Sequence, residues 1–156
     1  MSRSLQGAIL LLPLLAACDH EGEKGLALTD VPPAVRDAFN ARFPAATEVR
    51  WEREDSISFA VDFRDEQAQR SVTFDRTGRW LVSEMTIDTT QLPPQVRLAI
   101  SRDRAGRTVN EIERVEHPEE ESFYEVEFKD ANGTMEVAYD ADGTEREREV
   151  EGNEKD

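Results

Sequence analysis

The sequence is poor in the residues that most often carry chemistry. It has one cysteine, Cys18, and two histidines, His20 and His117. A single thiol excludes an internal disulfide, and acid–base catalysis near neutral pH most often uses histidine. Neither histidine stands in a recognisable motif, and the sequence contains no glycine-rich phosphate loop and no nucleophile elbow. We therefore expect no catalytic residues and no cofactor.

Positive charge is also scarce. The chain has 19 Lys and Arg against 34 Asp and Glu, which gives a formal net charge of -15. Such a surface repels nucleic acid and anionic lipid headgroups, so we expect no nucleic-acid partner. With so many carboxylates, neighbouring acidic residues arise throughout the chain, and no pair can be selected as a catalytic dyad.

Long apolar runs are absent, and the longest stretch without a charge is residues 4–18. A membrane-spanning helix needs about 20 apolar residues, whereas the core of a signal peptide needs about 7 to 15 after a basic residue. Because Arg3 precedes this run, residues 1–17 are predicted to be an export signal.

The run ends in Leu15-Ala16-Ala17-Cys18, which resembles the bacterial lipobox. The resemblance implies that the Cys18 thiol is lipidated, so that the exported chain faces the periplasm from a membrane anchor. Asp19 resembles the signal that retains lipoproteins at the inner membrane of enteric bacteria. The alternatives for Cys18 are an ordinary signal peptide cleaved after an Ala-x-Ala-like site, and a buried structural cysteine.

After a predicted flexible tether (18–28), the chain repeats itself. VPPAVR at 31–36 recurs as LPPQVR at 92–97, and FAVDF at 59–63 recurs as YEVEF at 124–128. The two offsets differ by four residues, which places an insertion in the loop around residues 117–121. We predict two repeat units, 29–88 and 89–151, followed by a disordered tail, 152–156.

Each unit is predicted to contain a helix that begins at a proline, followed by about four antiparallel strands of alternating character. The fold class is therefore α+β, a tandem repeat in which each helix covers one face of its sheet and leaves the other face open. Arg104 replaces the apolar Phe43 near the end of the second helix, and Gly106 soon follows. The second helix is thus expected to be shorter or less firmly packed.

The alternation in residues 80–87 puts Trp80 and Val82 on the open face of the sheet. An exposed tryptophan is a frequent anchor of protein interfaces, so both residues are candidate partner-binding residues. The alternative is that Trp80 packs against the other repeat. Trp51 shares a face with Val49 and is predicted to lie in the core.

Two acidic segments are candidate metal sites. Asp140-x-Asp142-Gly143 resembles a fragment of a calcium loop, but its glycine falls at position 4 of a hairpin instead of position 6 of the loop. His117 with Glu119, Glu120 and Glu121 offers ligands, although a solvated loop explains the same residues. We expect no metal site.

The landmarks resemble the PepSY-like, β-lactamase-inhibitor-like domains of exported bacterial proteins. The resemblance rests on the Pro-Pro-x-Val-Arg opening, Phe43-Pro44, Val49-x-Trp51-Glu52, the aromatic-x-Val-x-Phe strand and FDRTG at 74–78, followed by Trp80-Leu81. It implies a noncatalytic, lipid-anchored binding or inhibitory module that engages an envelope protein or peptide, of unknown identity, with its open sheet. The alternative function is an acidic, metal-responsive or structural envelope lipoprotein without a dedicated protein partner.

Overall fold

The computed structural model describes residues 25–66 and 68–152, and within them one helix and four strands alternate twice. The elements are α1 (Pro33–Arg42), β1 (Thr47–Arg53), β2 (Ser58–Asp65), β3 (Ala68–Asp75), β4 (Trp80–Thr86), α2 (Pro94–Asp103), β5 (Thr108–Glu116), β6 (Phe123–Asp130), β7 (Gly133–Tyr139) and β8 (Glu145–Gly152). Short 3-10 helices, Leu28–Asp30 and Thr89–Gln91, precede α1 and α2.

Several sequence predictions fall on residues outside this description. The predicted signal peptide (1–17), Cys18, Asp19, most of the tether and residues 153–156 of the tail lie outside the described residues. The described end of the tether joins the domain, since the Leu26 N–H donates to the Trp51 carbonyl over 2.6 Å and the Leu26 side chain packs on the core. None of the described helices has the length and apolar character that crossing a membrane requires.

Both α helices begin at a proline and run for ten residues. Proline suits the first turn because the missing N–H would have no partner there and its fixed φ is already helical. The expectation of a shorter or less firmly packed second helix is wrong, since α2 buries Val96, Ala99 and Ile100. Arg104 lies just past the last turn, where its N–H still bonds to the Ile100 carbonyl. Its side chain is exposed, so the packing of α2 does not depend on an apolar residue at this position.

The eight strands form one antiparallel sheet in the order β1 to β8, in which every strand pairs with its neighbours in the sequence. The prediction of helices on an antiparallel sheet is confirmed, but the expectation of a separate, approximately four-stranded sheet in each repeat is corrected. The two halves join because β4 pairs with β5, from Ser83↔Glu116 to Thr86↔Glu113. This pairing is nonlocal, so no hairpin turn in the sequence marks it.

The core lies between the helices and one face of the sheet, which we call the helix face. In the first half Val35 and Phe39 of α1 pack on Phe59, Val61 and Phe63. In the second half Val96 and Ile100 of α2 pack on a similar set that includes Val126, Phe128 and Val137. Each fully buried side chain of this size contributes about 1.5–3 kcal/mol, so these two clusters stabilise the fold.

Trp51 is 6% exposed and lies in the first cluster, which confirms its predicted place in the core. Val49, expected on the same side, is 41% exposed. The register of β1 on β2 shifts between Thr47 and Arg50, where Glu48 has a positive φ of 54°. This irregularity turns Val49 out of the alternation that its sequence position suggests.

One glycine in each half lets the sheet approach its helix closely. Gly78, with a φ of +85°, lies so near α1 that an added Cβ would be 2.5 Å from the Ala34 carbonyl oxygen. Gly143, with a φ of +82°, would meet the Gln95 carbonyl oxygen of α2 at 2.7 Å. Only glycine combines a left-handed backbone with room for such a contact, so these turns hold the helices on the sheet.

Candidate binding face

The other side of the sheet, which we call the open face, has no helix against it among the described residues. Pairing in register places Ala60, Ser71, Thr73 and Val82 there in the first half. In the second half the same face carries Val115, Phe123, Ala138 and a set of glutamates. The face is therefore made of strand residues alone, and its chemistry is read directly from the strand register.

Trp80 lies on the helix face, which corrects its expected place on the open face. Trp80 pairs with Phe74 while Val82 pairs with Thr73, so Leu81 is an extra residue and the alternation is reversed at that point. The Trp80 indole packs on the core cluster of the first half, beneath the guanidinium of Arg42 at 4.1 Å from the ring centroid. Trp80 thus packs on the core of the first half of the sheet. The alternative, packing against the second half, is also incorrect.

Val82 does lie on the open face, at one end of it. It is 7% exposed and clusters with Val115, Phe123 and Ala138. The loop after β5 folds back over this end, where the His117 ring stacks on Phe123 at a centroid distance of 5.7 Å. From the other side the Arg146 guanidinium covers Phe123 at 4.6 Å and pairs with Asp140 and Glu120. This end of the open face is therefore apolar beneath and closed by the loop.

The centre of the open face in the second half is acidic. Glu113 lies opposite Glu125, and Glu127 lies opposite both Glu111 and Glu136, so three adjacent strands present carboxylates to one another. Like charges directly opposite in a sheet destabilise it. Glu113, Glu125 and Glu127 are nevertheless only 8–9% exposed. We call the cleft lined by Glu111, Glu113, Glu125, Glu127 and Glu136 the acidic groove.

Burial and mutual repulsion shift the titration of these carboxyls. Burial, with the charges of Glu84, Glu111, Glu125 and Glu136, raises the pKa of Glu113 to about 9. Burial, with Glu136, Glu84 and Glu147, raises the pKa of Glu125 to about 8. Burial and the neighbouring carboxylates therefore favour the protonated form of both side chains at neutral pH.

Acidic side chains continue beyond the acidic groove into the first half of the sheet, and we call the whole set the acidic band. Glu84 on β4 lies beside Val115, and burial with the charges of Glu54 and Asp62 raises its pKa to about 7. At the outer edge Arg50 pairs with Glu52 at 2.8 Å and with Asp62 at 3.2 Å. Small side chains, Ala60, Ser71 and Thr73, separate these groups. The first half of the open face therefore carries smaller side chains at its centre, and its acidic groups are partly neutralised.

The segments considered as metal sites are engaged in turns. The Asp142 carboxylate accepts from the Thr144 N–H over 2.9 Å, and Asp140 pairs with Arg146. His117 stacks on Phe123, while His20 lies outside the described residues. Within the described ranges, no group of three or more His, Cys, Asp or Glu side chains is arranged to hold a metal ion.

The described chain is thus two helices on one face of an eight-stranded antiparallel sheet. The family model of PepSY-like proteins, described as β-lactamase-inhibitor-like, matches residues 20–68 and 57–145. The chain belongs to this family, which confirms the resemblance read from the sequence. The comparison with curated proteins gives no match.

Solved structures from Bacteroides share the fold. A DUF2874 family protein from Bacteroides uniformis is 22% identical with a TM-score of 0.71, covering 76% of this chain and 88% of that one. A protein from Bacteroides eggerthii described as periplasmic is 16% identical with a TM-score of 0.74, covering 79% and 91%. A BLIP-like protein from Bacteroides fragilis is 22% identical with a TM-score of 0.67, covering 79% and 88%. At these identities the likeness establishes the fold alone.

Proposed function

We propose that this protein is a noncatalytic, lipid-anchored module of the cell envelope that binds a protein or peptide through its open sheet face. The observation that carries the proposal is the acidic band of that face, where three buried glutamates stand beside one another without a helix to cover them. Folding alone favours apolar or paired residues at buried positions. Buried glutamates gathered on adjacent strands depart from this preference, and a surface that carries them is suited to binding a partner.

The surroundings of the band also suit a docking surface. Ala60, Ser71 and Thr73 place only small side chains on β2 and β3, beside Val82 and the acidic band. Eight strands about 4.8 Å apart make a sheet wide enough to receive a folded partner. In this proposal Val82 contributes to the floor of the contact, whereas Trp80 supports it from the helix face.

A binding role agrees with the absence of an evident reaction centre in the described chain. The carboxyls of Glu113 and Glu125, whose pKa values are raised, face other carboxyls. Among the described residues, no nucleophile is placed beside them to exchange a proton in a reaction. His117 is stacked against Phe123 at the closed end of the face. The inhibitor-like family and the periplasmic description of one structural relative support the same class of function.

The anchor and the duplicated organisation are part of the proposal. Export of residues 1–17 and lipidation of Cys18 would attach the module to a membrane on its periplasmic side, with Asp19 favouring the inner membrane. The proposed units, 29–88 and 89–151, each contribute one helix and four strands to the sheet. Lipidation is tested by mass spectrometry of the N-terminal peptide and by Cys18→Ser, which should release the protein from the membrane fraction.

The binding face is tested by blocking it with one bulky residue. Ser71→Trp places an indole on the open face, and Leu98→Trp places one on the outside of α2, where Leu98 is 64% exposed. Both variants and the wild type are expressed as the full chain, cross-linked in cells and recovered from solubilised envelope. The expected result is an envelope protein that wild type and Leu98→Trp capture and Ser71→Trp does not. Equal capture by all three would refute the open face as the binding surface.

A further inference from the structure

Positive charge in this acidic chain is concentrated on α2 and on the turn that follows it. Residues 94–107 contain four arginines and one aspartate, although acidic residues outnumber basic ones by 34 to 19 in the whole chain. The net charge alone predicts repulsion from any anionic surface. A locally cationic surface changes that expectation for the part of the molecule that carries it.

The arginines lie on the side of α2 that points away from the sheet. Val96, Ala99 and Ile100 face the core, so the opposite side of the helix faces outward. Leu98 is at the centre of that side and is 64% exposed, with exposed arginines on either side of it. We call this area the outer surface of α2, and it consists of Arg97, Leu98, Ser101, Arg102 and Arg104.

The outer surface of α2 has no counterpart on α1. The two helices have the same length, and the repeat offset of 61 residues matches their positions one to one. Asp37 and Ala41 occupy on α1 the positions of Leu98 and Arg102 on α2. Both helices cover similar clusters of the core, so the fold does not require an exposed leucine between arginines.

The carboxylates near this surface lie beneath the arginines. The Asp103 side chain is 13% exposed against 67% for Arg102, with which it pairs at 3.0 Å. Asp103 also accepts a hydrogen bond from the Tyr139 hydroxyl over 3.1 Å, and Asp130 pairs with Arg107 at 3.2 Å. An anion that approaches from outside therefore meets guanidinium groups before it meets a carboxylate.

Two of the arginines have no carboxylate partner among the described residues. Arg97 donates to the Leu92 carbonyl over 2.7 Å, and Arg104 donates to the Arg107 carbonyl over 3.2 Å. At the other end of α2, the turn that contains the exposed Asp142 lies against the first turn of the helix. The uncompensated positive charge is thus confined to the middle and the C-terminal end of α2.

The carboxylates of the open face do not cancel this charge at a contact. They lie on the other side of the sheet, and a helix with its side chains is about 10–12 Å wide. At physiological salt, exposed charges are largely screened beyond about 8 Å. An anionic surface that touches α2 is therefore affected mainly by the outer surface of α2 itself.

The chemistry of the outer surface of α2 fits a membrane interface. Guanidinium groups form paired hydrogen bonds with phosphate, and an exposed leucine enters the boundary between headgroups and acyl chains. A lipid on Cys18 would keep the domain nearby, since residues 18–24 span at most about 25 Å. Stable anchoring commonly combines lipid with a basic patch, and a tethered contact needs little affinity of its own.

We propose that the outer surface of α2 docks on an anionic lipid surface. Leu98 enters the interface, while Arg97, Arg102 and Arg104 bind headgroup phosphates. The open face of the second half then points away from the bilayer, where a partner in the periplasm reaches it. This inference rests on the membrane attachment in the proposed function and adds an orientation to it.

The experiment places a tryptophan on each side of the molecule and measures its distance from the lipid. Full chains of wild type, Leu98→Trp and Ser71→Trp are reconstituted from a non-ionic detergent into vesicles with brominated acyl chains, which quench tryptophan. The vesicles contain phosphatidylcholine alone or phosphatidylcholine with phosphatidylglycerol, and flotation measures attachment. Trp51 and Trp80 pack in the first core, so wild type provides the baseline.

Charge variants show whether the arginines produce the contact. Leu98→Trp is combined with Arg97→Gln and Arg104→Gln and, as the control, with Arg76→Gln and Arg79→Gln, which remove the same charge from an exposed turn of the first half. Urea unfolding checks that both triple variants are folded. Added salt gives a second test on Leu98→Trp alone, because it weakens an electrostatic contact without a change in the sequence.

We expect the tryptophan at position 98 to be quenched with phosphatidylglycerol and not with phosphatidylcholine alone, and the one at position 71 in neither. Each basic group near an anionic surface strengthens the contact about fivefold, so the loss of Arg97 and Arg104 should weaken it by about 25-fold. Quenching should then fall to the level in neutral vesicles, as it should with added salt. The control variant should keep the quenching of Leu98→Trp.

Equal quenching at position 98 in both kinds of vesicle, equal loss in the two triple variants, or quenching at position 71 would overturn the inference. A chain that floats with the vesicles without quenching at position 98 refutes the orientation and leaves the attachment standing. A chain that floats with neither kind of vesicle refutes both. If position 98 stays unquenched and Leu98→Trp loses capture of the envelope partner, the outer surface of α2 binds protein instead.

Discussion

The close approach of Gly78 to α1 leads to a quantitative prediction about stability. Replacing Gly78 by alanine adds a Cβ at 2.5 Å from the Ala34 carbonyl oxygen and 3.0 Å from its carbonyl carbon, both backbone atoms of the helix. The residue also keeps a φ of +85°, which costs an L-residue about 1–2 kcal/mol. Moving a packed helix away adds about 1–3 kcal/mol. Gly78→Ala should therefore lower the free energy of unfolding by about 3 kcal/mol.

Gly106 provides the matched control for this change. Its φ is +87°, almost the same, but an added Cβ meets nothing within 4 Å. Gly106→Ala should therefore carry the backbone cost alone, about 1 kcal/mol. The assay is equilibrium urea unfolding of the full chain, followed by tryptophan fluorescence. Equal losses in the two variants would show that the glycine at position 78 serves the turn only and that the contact with α1 has no energetic role.

Three further predictions follow from burial and charge. The free energy of unfolding should fall as the pH rises from 4.5 to about 9, because folded Glu84, Glu125 and Glu113 hold protons that the unfolded chain has released. It should also fall below pH 3.8, where Asp75 becomes protonated. Hydrogen bonds from Thr77 and Arg79 lower the pKa of Asp75 to about 2 in the folded protein, so protonation there opposes folding. The free energy of unfolding should therefore be greatest near pH 4, and Glu113→Gln should reduce its decline at alkaline pH. Trp80→Ala should lower stability by about 2 kcal/mol, through lost contacts with the core and with Arg42, whereas Ile57→Ala, at 62% exposed, should change it by less than about 0.5 kcal/mol. Thermal unfolding should show a loss of about 1 kcal/mol for Tyr139→Phe, because the buried Tyr139 hydroxyl donates to Asp103 over 3.1 Å.

Local signals in the sequence predicted the elements of the fold well. Proline at Pro33 and Pro94 marks the starts of the helices, and glycine at Gly78 and Gly143 marks the turns, because each depends on the backbone freedom of one residue. The alternation of Phe59, Val61 and Phe63 with Ala60 and Asp62 is likewise typical of a strand with one buried face, and the first three residues pack on α1. These features need no knowledge of which strand pairs with which.

The errors in the sheet have a common physical origin, which is irregular or nonlocal strand pairing. One extra residue, Leu81, reverses the alternation of β4 and moves Trp80 to the helix face. A similar irregularity near Glu48 exposes Val49. Neither is visible in a pattern that assumes a strict period of two, because a strand with an added residue has the same composition as a regular one.

The acidic groove could not be located from the sequence for the same reason. Glu113, Glu125 and Glu136 are separated by 11 or 12 residues along the chain, in a protein with 34 acidic residues. They meet only through the register of β5, β6 and β7. The one available signal was the alternation of Glu125 and Glu127 with apolar Val126 and Phe128, which assigns the glutamates to the face opposite the core.

The loop that carries His117 gives the open face a direction. Two halves with the same order of elements would offer an incoming chain two similar ways to lie across the strands. The stacking of His117 on Phe123, and the hold of Arg146 on Glu120, obstruct one of the two ends. In the proposed binding mode this loop makes the two ends of the face different, which the shared order of elements alone would not do.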